Sequence, residues 1–204
     1  LRTNAIVKGK HTRRTTSFAK ACIAFCHVTI PSVRSELRRL ELMLHCAQVA
    51  LQCQCLPQTD TLLKAAISLF PKVPAHEIHP DSGQKIPSTD RLLEFIKELL
   101  SLLVLVPGHP HHGPFYIVTG LFNALPMYAW PEASNARLKV YTELLVLLCT
   151  YAQKKFPYSL RNVQSNDVLF QGNEDYHEEL KQKTEECMEA ILTQLTQLGE
   201  LASR

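Results

Sequence analysis

A chain of 204 residues, 46% of them apolar and 20% charged, has the balance of an ordinary soluble protein. It is long enough to bury a substantial core, so one domain or one section of a repeat array is expected. Only 7 glycines and 7% aromatics weigh against a sandwich, a barrel or a phosphate-loop enzyme, abundant leucine favours helix, and a net charge of +3 conceals an uneven spread.

Of 22 basic and 19 acidic residues, the first forty positions hold nine and one, leaving 13 basic against 18 acidic residues in the remainder. A basic end on an acidic body can touch anionic lipid, RNA or an acidic partner. The plainer reading, a solvated and poorly ordered lead-in over 1–14, is preferred. The first residue is Leu1, which points to a piece of a longer chain.

Helical periodicity starts over 15–29, with Thr15 or Thr16 as cap. Pro31 suits the start of a second helix, where its missing N–H costs nothing. That helix is expected to reach about Cys46, and a short one follows to Leu56. Pro57 interrupts, and "DTLLKAAISLF" makes a fourth helix with Leu63, Ala66, Ile67 and Phe70 on one side. Residues 71–87 contain Pro71, Pro74, Pro80, Gly83 and Pro87, so turn chemistry predicts a long exposed loop.

A fifth helix opens at "STD", with Ser88 or Thr89 as cap and Asp90 at the positive helix end, and runs to Val106. Leu92, Ile96, Leu99, Leu103 and Val106 form one seam, and Leu93 with Leu100 begins another. Two seams place this helix between neighbours. A sixth helix follows over 114–128 and a seventh over 133–155, with Leu138, Tyr141, Leu145, Leu148 and Ala152 as its core face. A loop over 157–172 leads to a last helix from about Asn173, whose stripe is Tyr176, Leu180, Cys187, Ile191, Leu195 and Leu198.

No stretch alternates convincingly as a strand. The expected class is all-α, either an irregular bundle or a solenoid of antiparallel helix pairs of about 40–47 residues each. The doubly buried fifth helix and the one-sided last helix favour the stack. A truncated stack exposes an apolar end, so an isolated piece is expected to self-associate. The longest near-continuous apolar run, Leu99 to Pro107, is too short to span a bilayer, which needs about 20 residues.

"VPGHPHHGPFY" (106–116) raises the first question of chemistry. His109, His111 and His112 could hold a metal, but prolines on both sides limit convergence. Neither HExxH nor a deaminase motif is present. A structural corner is preferred, with one imidazole satisfying carbonyls at the end of the fifth helix; a metal-dependent hydrolase is the alternative. In "HCAQVALQCQC", His45, Cys46, Cys53 and Cys55 make a poor zinc framework. Cys22 and Cys26 share a helix face expected in the core. Seven cysteines, an odd number in leucine-rich text, suggest free thiols in a reducing compartment. No glycine-rich elbow accompanies any cysteine, so a Cys–His nucleophile finds no support. Acids in "EDYHEEL" are expected at a helix start. Trp130 sits at a helix-to-helix turn, either as a lid or as a binding anchor. The basic N-terminus lacks the interleaved aromatics that stack bases, so nucleic acid is not expected.

"CHVTIPS" (26–32), "LLKAAISLFPKVP" (62–74), "LVPGHPHHG" (105–113) and "VQSNDVLFQG" (163–172) resemble the vacuolar protein sorting 35-like family, the large subunits of the retriever complex and paralogues of the retromer large subunit. The likeness covers most of the chain and corresponds to the C-terminal part of a longer one. It implies an α-solenoid of HEAT-like helix pairs. It implies a cytoplasmic, non-enzymatic scaffold, peripheral on endosomes and without a cofactor, that helps return cargo to the cell surface. Implied partners are a small vacuolar protein sorting 29-type subunit with a metallophosphoesterase fold, an arrestin-like third subunit held by upstream sequence, and an assembly of COMMD and coiled-coil proteins. The family pattern Pro-x-His-Pro-x-His-Gly matches Pro107, His109, Pro110, His112 and Gly113; His111 falls on a variable position. The expected contact residues are these five with Tyr128 and Trp130.

Overall fold

The computed structural model describes residues 12–78, 83–109, 111–131, 134–170 and 172–202. Among these residues there are eight α-helices: α1 (Arg13–Thr29), α2 (Glu36–Gln52), α3 (Leu56–Leu69), α4 (Thr89–Leu103), α5 (Tyr116–Ala124), α6 (Ala136–Tyr151), α7 (Asn166–Phe170) and α8 (Glu174–Ala202). Among the same residues are three single 3-10 turns (Ile30–Ser32, Phe70–Lys72 and Leu125–Met127) and a small antiparallel hairpin of β1 (His76–Ile78) and β2 (Lys85–Pro87). The class is all-α, as expected. α1 packs on α2, α2 on α3 and α4, α3 on α5, α4 on α6 and α6 on α8. Each layer therefore touches chiefly the next, which is the arrangement of a solenoid.

Local chemistry sets the helix ends, and several differ from the expectation. α1 starts at a capping box: Thr12 Oγ1 accepts from the Thr15 N–H, and Thr15 Oγ1 accepts from the Thr12 N–H at 2.8 Å. Thr15 is thus the cap's partner and not the cap. Arg13 and Arg14 are already helical, while 1–11, the bulk of the expected lead-in, lie outside the described residues. Pro31 sits in a separate turn, Ile30–Ser32, and Ser35 caps α2 by accepting from the Arg38 N–H at 3.1 Å. α2 passes unbroken through Cys46, because Cys46, Ala47, Ala50 and Leu51 all lie on its buried face. Gln54, at φ 60°, turns the chain, and Pro57 falls in the first turn of α3 instead of interrupting it.

Within 71–87, where a loop is expected, His76–Ile78 and Lys85–Pro87 pair as antiparallel strands. These strands are only three residues long and largely exposed, too short for alternation to register. α4 stops at Leu103, and Pro126 limits α5 by forcing the turn Leu125–Met127. The face of α6 is corrected most. Ala136, Val140, Tyr141, Leu144, Leu147, Leu148 and Tyr151 are buried, whereas Leu138 and Leu145 are half-buried and Ala152 is exposed. α6 lies between α4 and α8, so apolar residues nearly encircle it and a single stripe cannot be phased.

Of the first expected seam, Leu92, Ile96, Leu99 and Leu103 are buried on α4 and Val106 is buried beyond its end; of the second, Leu100 is buried and Leu93 is half-buried, and Phe95 and Leu102 add to the buried side. The last helix is one-sided only in its first half. Tyr176, Leu180 and Cys187 are buried, but Leu195 is 49% exposed.

A polar clasp joins three elements outside the core. Arg91 on α4 donates to Glu41 on α2 and, at 2.7 Å, to Glu77 on β1; Ser35 donates to the same Glu77. Burial would raise the Glu41 carboxyl, but the hydrogen bonds and charges of Arg38 and Arg91 outweigh it and hold it below its ordinary 4.5. The folded form therefore binds this proton more weakly than the unfolded form. The stabilisation is complete above about pH 4.5 and is lost as pH falls through the lowered value. Arg91 is substantially exposed, so the clasp is worth roughly 0.5–1 kcal/mol. Arg91→Gln should lower the melting temperature at neutral pH and lose less stability than the wild type between about pH 5 and pH 3. Parallel melting curves across that window would show that the clasp carries no acid sensitivity.

Candidate functional site: the histidine corner

The segment between α4 and α5 closes on itself. His109 N–H donates to Gly113 O at 3.1 Å, and Gly113 N–H returns a bond to His109 O at 3.0 Å. Gly113 has φ 81°, the left-handed region that glycine enters without steric cost. Gly108 lies so close to its neighbours that a Cβ there would stand 2.7 Å from Pro114 Cα and 3.0 Å from the Phe170 ring. Its N–H donates to the side-chain oxygen of buried Asn166 at 2.6 Å. The corner is therefore seated directly on α7.

The three imidazoles lie at the outer side of this seat. His111 and His112 are exposed and His109 is half-buried. The ring of His109 is 4.5 Å from that of His112 and 5.8 Å from that of His111. His109 Nδ1 accepts from the His111 N–H at 3.1 Å, which requires a lone pair on that nitrogen. Partial desolvation first, and then the nearby His112, hold the His109 pKa below its ordinary value, in keeping with a neutral acceptor ring. Among the described residues, no group of three or more His, Cys, Asp and Glu side chains is arranged to hold a metal ion. Pro110 lies outside the described residues, and Pro107 is half-buried.

The expectation that an imidazole satisfies the end of the predicted fifth helix is corrected. That donor is the Tyr151 hydroxyl, which reaches Leu103 O at 2.8 Å; the Tyr176 hydroxyl in turn reaches Tyr151 O at 3.0 Å. Under the corner, Phe115 stacks on Tyr176 at 4.9 Å and Phe170 stacks on the same ring at 5.7 Å.

Three residues missed by the motif reading connect the corner to α3. The Tyr116 ring meets His109 edge-on at 5.6 Å and lies 5.7 Å from His112. Its hydroxyl donates to the Asp60 carboxylate. Lys64 pairs with Asp60 at 3.0 Å and sits 4.8 Å above the Tyr116 ring. Burial first, and then the Asp60 hydrogen bond, push the Tyr116 phenol up, so it remains a donor. Asp60 and Lys64 stand at i,i+4, a pair readable from sequence; their meeting with Tyr116 is a tertiary event. Between the corner and α3 opens a cleft of about 570 Å³, lined by Leu56, Pro57, Asp60, Val106, Pro107, His109, His111 and Tyr116. A mostly apolar cleft with a few convergent polar groups is the usual form of a binding pocket.

The other expected contacts lie elsewhere. Tyr128 is buried, so its ring supports the surface and does not form it. It meets Trp130 edge-on at 4.9 Å. Trp130 is half-buried, donates from Nε1 to Leu125 O at 2.7 Å, and borders a second cleft of about 350 Å³ with Arg137, Gln194, Leu198 and Leu201. The corner and Trp130 sit at opposite ends of α5, whose nine residues span about 14 Å. The cysteines are also resolved. Cys46, Cys53 and Cys55 are buried; burial pushes Cys46 up to about 12, with Cys26 adding to it, and raises the other two. Such thiols stay protonated and unreactive. Cys22, expected in the core, is exposed.

Gly108→Ala should cost about 1–3 kcal/mol, because backbone and a packed ring oppose the added methyl. Tyr116→Phe should cost less, about 1 kcal/mol, by removing one hydrogen bond. Denaturant melts of both variants check the order; an unperturbed Gly108→Ala would mean that the corner is not tightly seated.

Comparison with known proteins gives concordant matches. The family model for the VPS35L C-terminal domain matches residues 1–203. The human protein described as VPS35 endosomal protein-sorting factor-like is 41% identical over 98% of this chain and 20% of its own length. Its counterpart in Dictyostelium discoideum is 39% identical over 95% of this chain and 19% of its own. The Drosophila melanogaster protein is 32% identical over 91% and 20%. The chain thus spans about a fifth of the length of these relatives. On this evidence the chain belongs to the VPS35-like family of endosomal protein-sorting factors and corresponds to its C-terminal domain.

Proposed function

We propose that the chain is a non-enzymatic scaffold segment of an endosomal cargo-recycling complex of the retriever type, supporting transport from endosomes to the plasma membrane. One observation carries this reading: similarity along 98% of the chain to a protein described as an endosomal protein-sorting factor-like protein. The physical features support it. Stacked helices, here read as HEAT-like pairs, offer a long surface whose loops add specificity. The rigid corner and its cleft lie at the helix ends, and the three cysteines of the "HCAQVALQCQC" stretch are protonated and buried.

The occupant proposed for the corner is the small vacuolar protein sorting 29-type subunit with a metallophosphoesterase fold. Contacts come from His109, His112, Pro107 and Gly113, with Trp130 as a separate anchor at the other end of α5. The arrestin-like subunit would be held by upstream sequence, and the COMMD and coiled-coil assembly would join the same complex. Residence is proposed to be cytoplasmic and peripheral on endosomes. Among the described residues, no helix is long and apolar enough to cross a membrane.

The test is binding of the full-length chain to the purified small subunit. The double variant His109→Ala/His112→Ala should weaken the complex by about tenfold, equivalent to about 1.4 kcal/mol, while retaining a cooperative melt. Trp130→Ala should weaken it as well. Wild-type affinity in both, with intact folding, would remove the corner and Trp130 from the interface. Stoichiometric zinc retained through dialysis of the isolated chain would overturn the scaffold-only reading.

A further inference from the structure

The cleft beside Trp130 holds a charge that the described fold does not pair. Arg137, in the first turn of α6, borders this space of about 350 Å³ together with Trp130, Pro131, Leu198 and Leu201. The side chain is half-buried. Its Nη2 donates to the Tyr141 hydroxyl at 3.4 Å, the guanidinium lies 5.7 Å from the centre of the Tyr141 ring, and Nε is buried with no hydrogen-bond partner among the described residues. Arg39, also half-buried, provides the contrast, since it pairs with Glu36 at 2.6 Å. Among the described residues no ion pair reaches Arg137.

A guanidinium partly withdrawn from water is best satisfied by a planar anion that accepts two of its N–H groups at once. α6 has no acid in its first turn, so the positive end of the helix adds to the same field. Glu200 is exposed on the rim. One arginine with an acid nearby suits a singly charged carboxylate better than a phosphate, whose double charge calls for several cations. Anionic lipid is disfavoured on the same ground, because it is held by clusters of about four or more Lys and Arg. The walls of the cleft are apolar and already fixed: Trp130 is anchored through Nε1 to Leu125 O at 2.7 Å and lies edge-on to Tyr128. We infer that the Trp130–Arg137 cleft takes an acidic and aliphatic segment of a partner protein. An Asp or Glu carboxylate forks onto Arg137, and a Leu, Ile or Val beside it packs against Trp130, Leu198 and Leu201. Tryptophan and arginine are the side chains on which interface energy most often concentrates. This rests on the reading of Trp130 as a contact and names what that contact meets.

The probe is a phage-displayed library of random short peptides, selected on the immobilised full-length chain and, in parallel, on its Arg137→Gln variant. Peptides with Asp or Glu next to Leu, Ile or Val should be enriched on the wild type and absent from the variant pool. A synthetic peptide of the consensus should bind the wild type at least about tenfold more tightly than its carboxamide analogue, and Arg137→Gln should erase that difference. Arg137→Lys, which keeps the charge but not the fork and disturbs folding least, should bind the peptide several-fold more weakly than the wild type. Arg137→Glu should turn the selection toward peptides bearing Lys or Arg. Each variant should keep a cooperative melt. No enrichment, or enrichment indifferent to Arg137 in all three variants, overturns the inference. So does Arg137-dependent binding of phosphatidylserine vesicles, or of phosphorylated peptides in preference to the acidic ones, which would identify a membrane or a phosphoprotein. Peptide binding that appears only in Glu132→Gln, a position outside the described residues, would mean that the chain itself satisfies Arg137, and overturns it too. If Trp130→Ala weakens the complex with the small subunit but no Arg137-dependent acidic peptide emerges, the inference alone fails. If Trp130→Ala changes neither the complex nor the selection, the reading of Trp130 as a contact fails with it.

Discussion

The last carbonyls of a helix have no partner within the helix, and when buried they need a donor from elsewhere. Here that requirement ties three helices together. Tyr151, at the end of α6, caps Leu103 at the end of α4, and Tyr176, at the start of α8, caps Tyr151. Burial pushes both phenols upward, so both remain protonated donors at any physiological pH. Their rings do the packing while their hydroxyls do the capping. Phe115, Phe156 and Phe170 stack against them. Without this aromatic floor, the corner above it would have nothing to rest on.

The corner inherits its rigidity from that floor. Gly108 can approach Pro114 and Phe170 only because it lacks a side chain, and Asn166 holds its N–H. The rim is fixed separately, by Tyr116 reaching across to Asp60 and by Lys64 pairing with Asp60 while lying over the Tyr116 ring. A surface held from below and from the side loses little conformational freedom when something binds to it. Such preorganisation raises the affinity of a surface for whatever fits it.

Much of this was legible in the sequence where the physics is local or strongly periodic. The main seam of α4 and the opening stripe of α8 follow directly from the spacing of apolar residues. The proline- and histidine-rich corner declared itself by composition. What was not legible depends on neighbours. The buried face of α6 is decided by helices on both sides, so Leu138 and Ala152 were assigned to a core that lies elsewhere. The hairpin has strands of three residues, below the length at which a period exists. The capping tyrosines are 48 and 25 residues from the carbonyls they satisfy, a pairing no local pattern encodes. Tyr128 looked like a contact residue beside Trp130 because aromatic rings near a turn read alike until burial separates them.

The brevity of α5 has a mechanical consequence. With nine residues, it keeps the mouth beside His109 and the groove beside Trp130 within the footprint of one modest globular body. Anything seated across both would lie athwart the grain of the stack and splint one layer to the next. The bend of the stack would then be set by whatever lies across it.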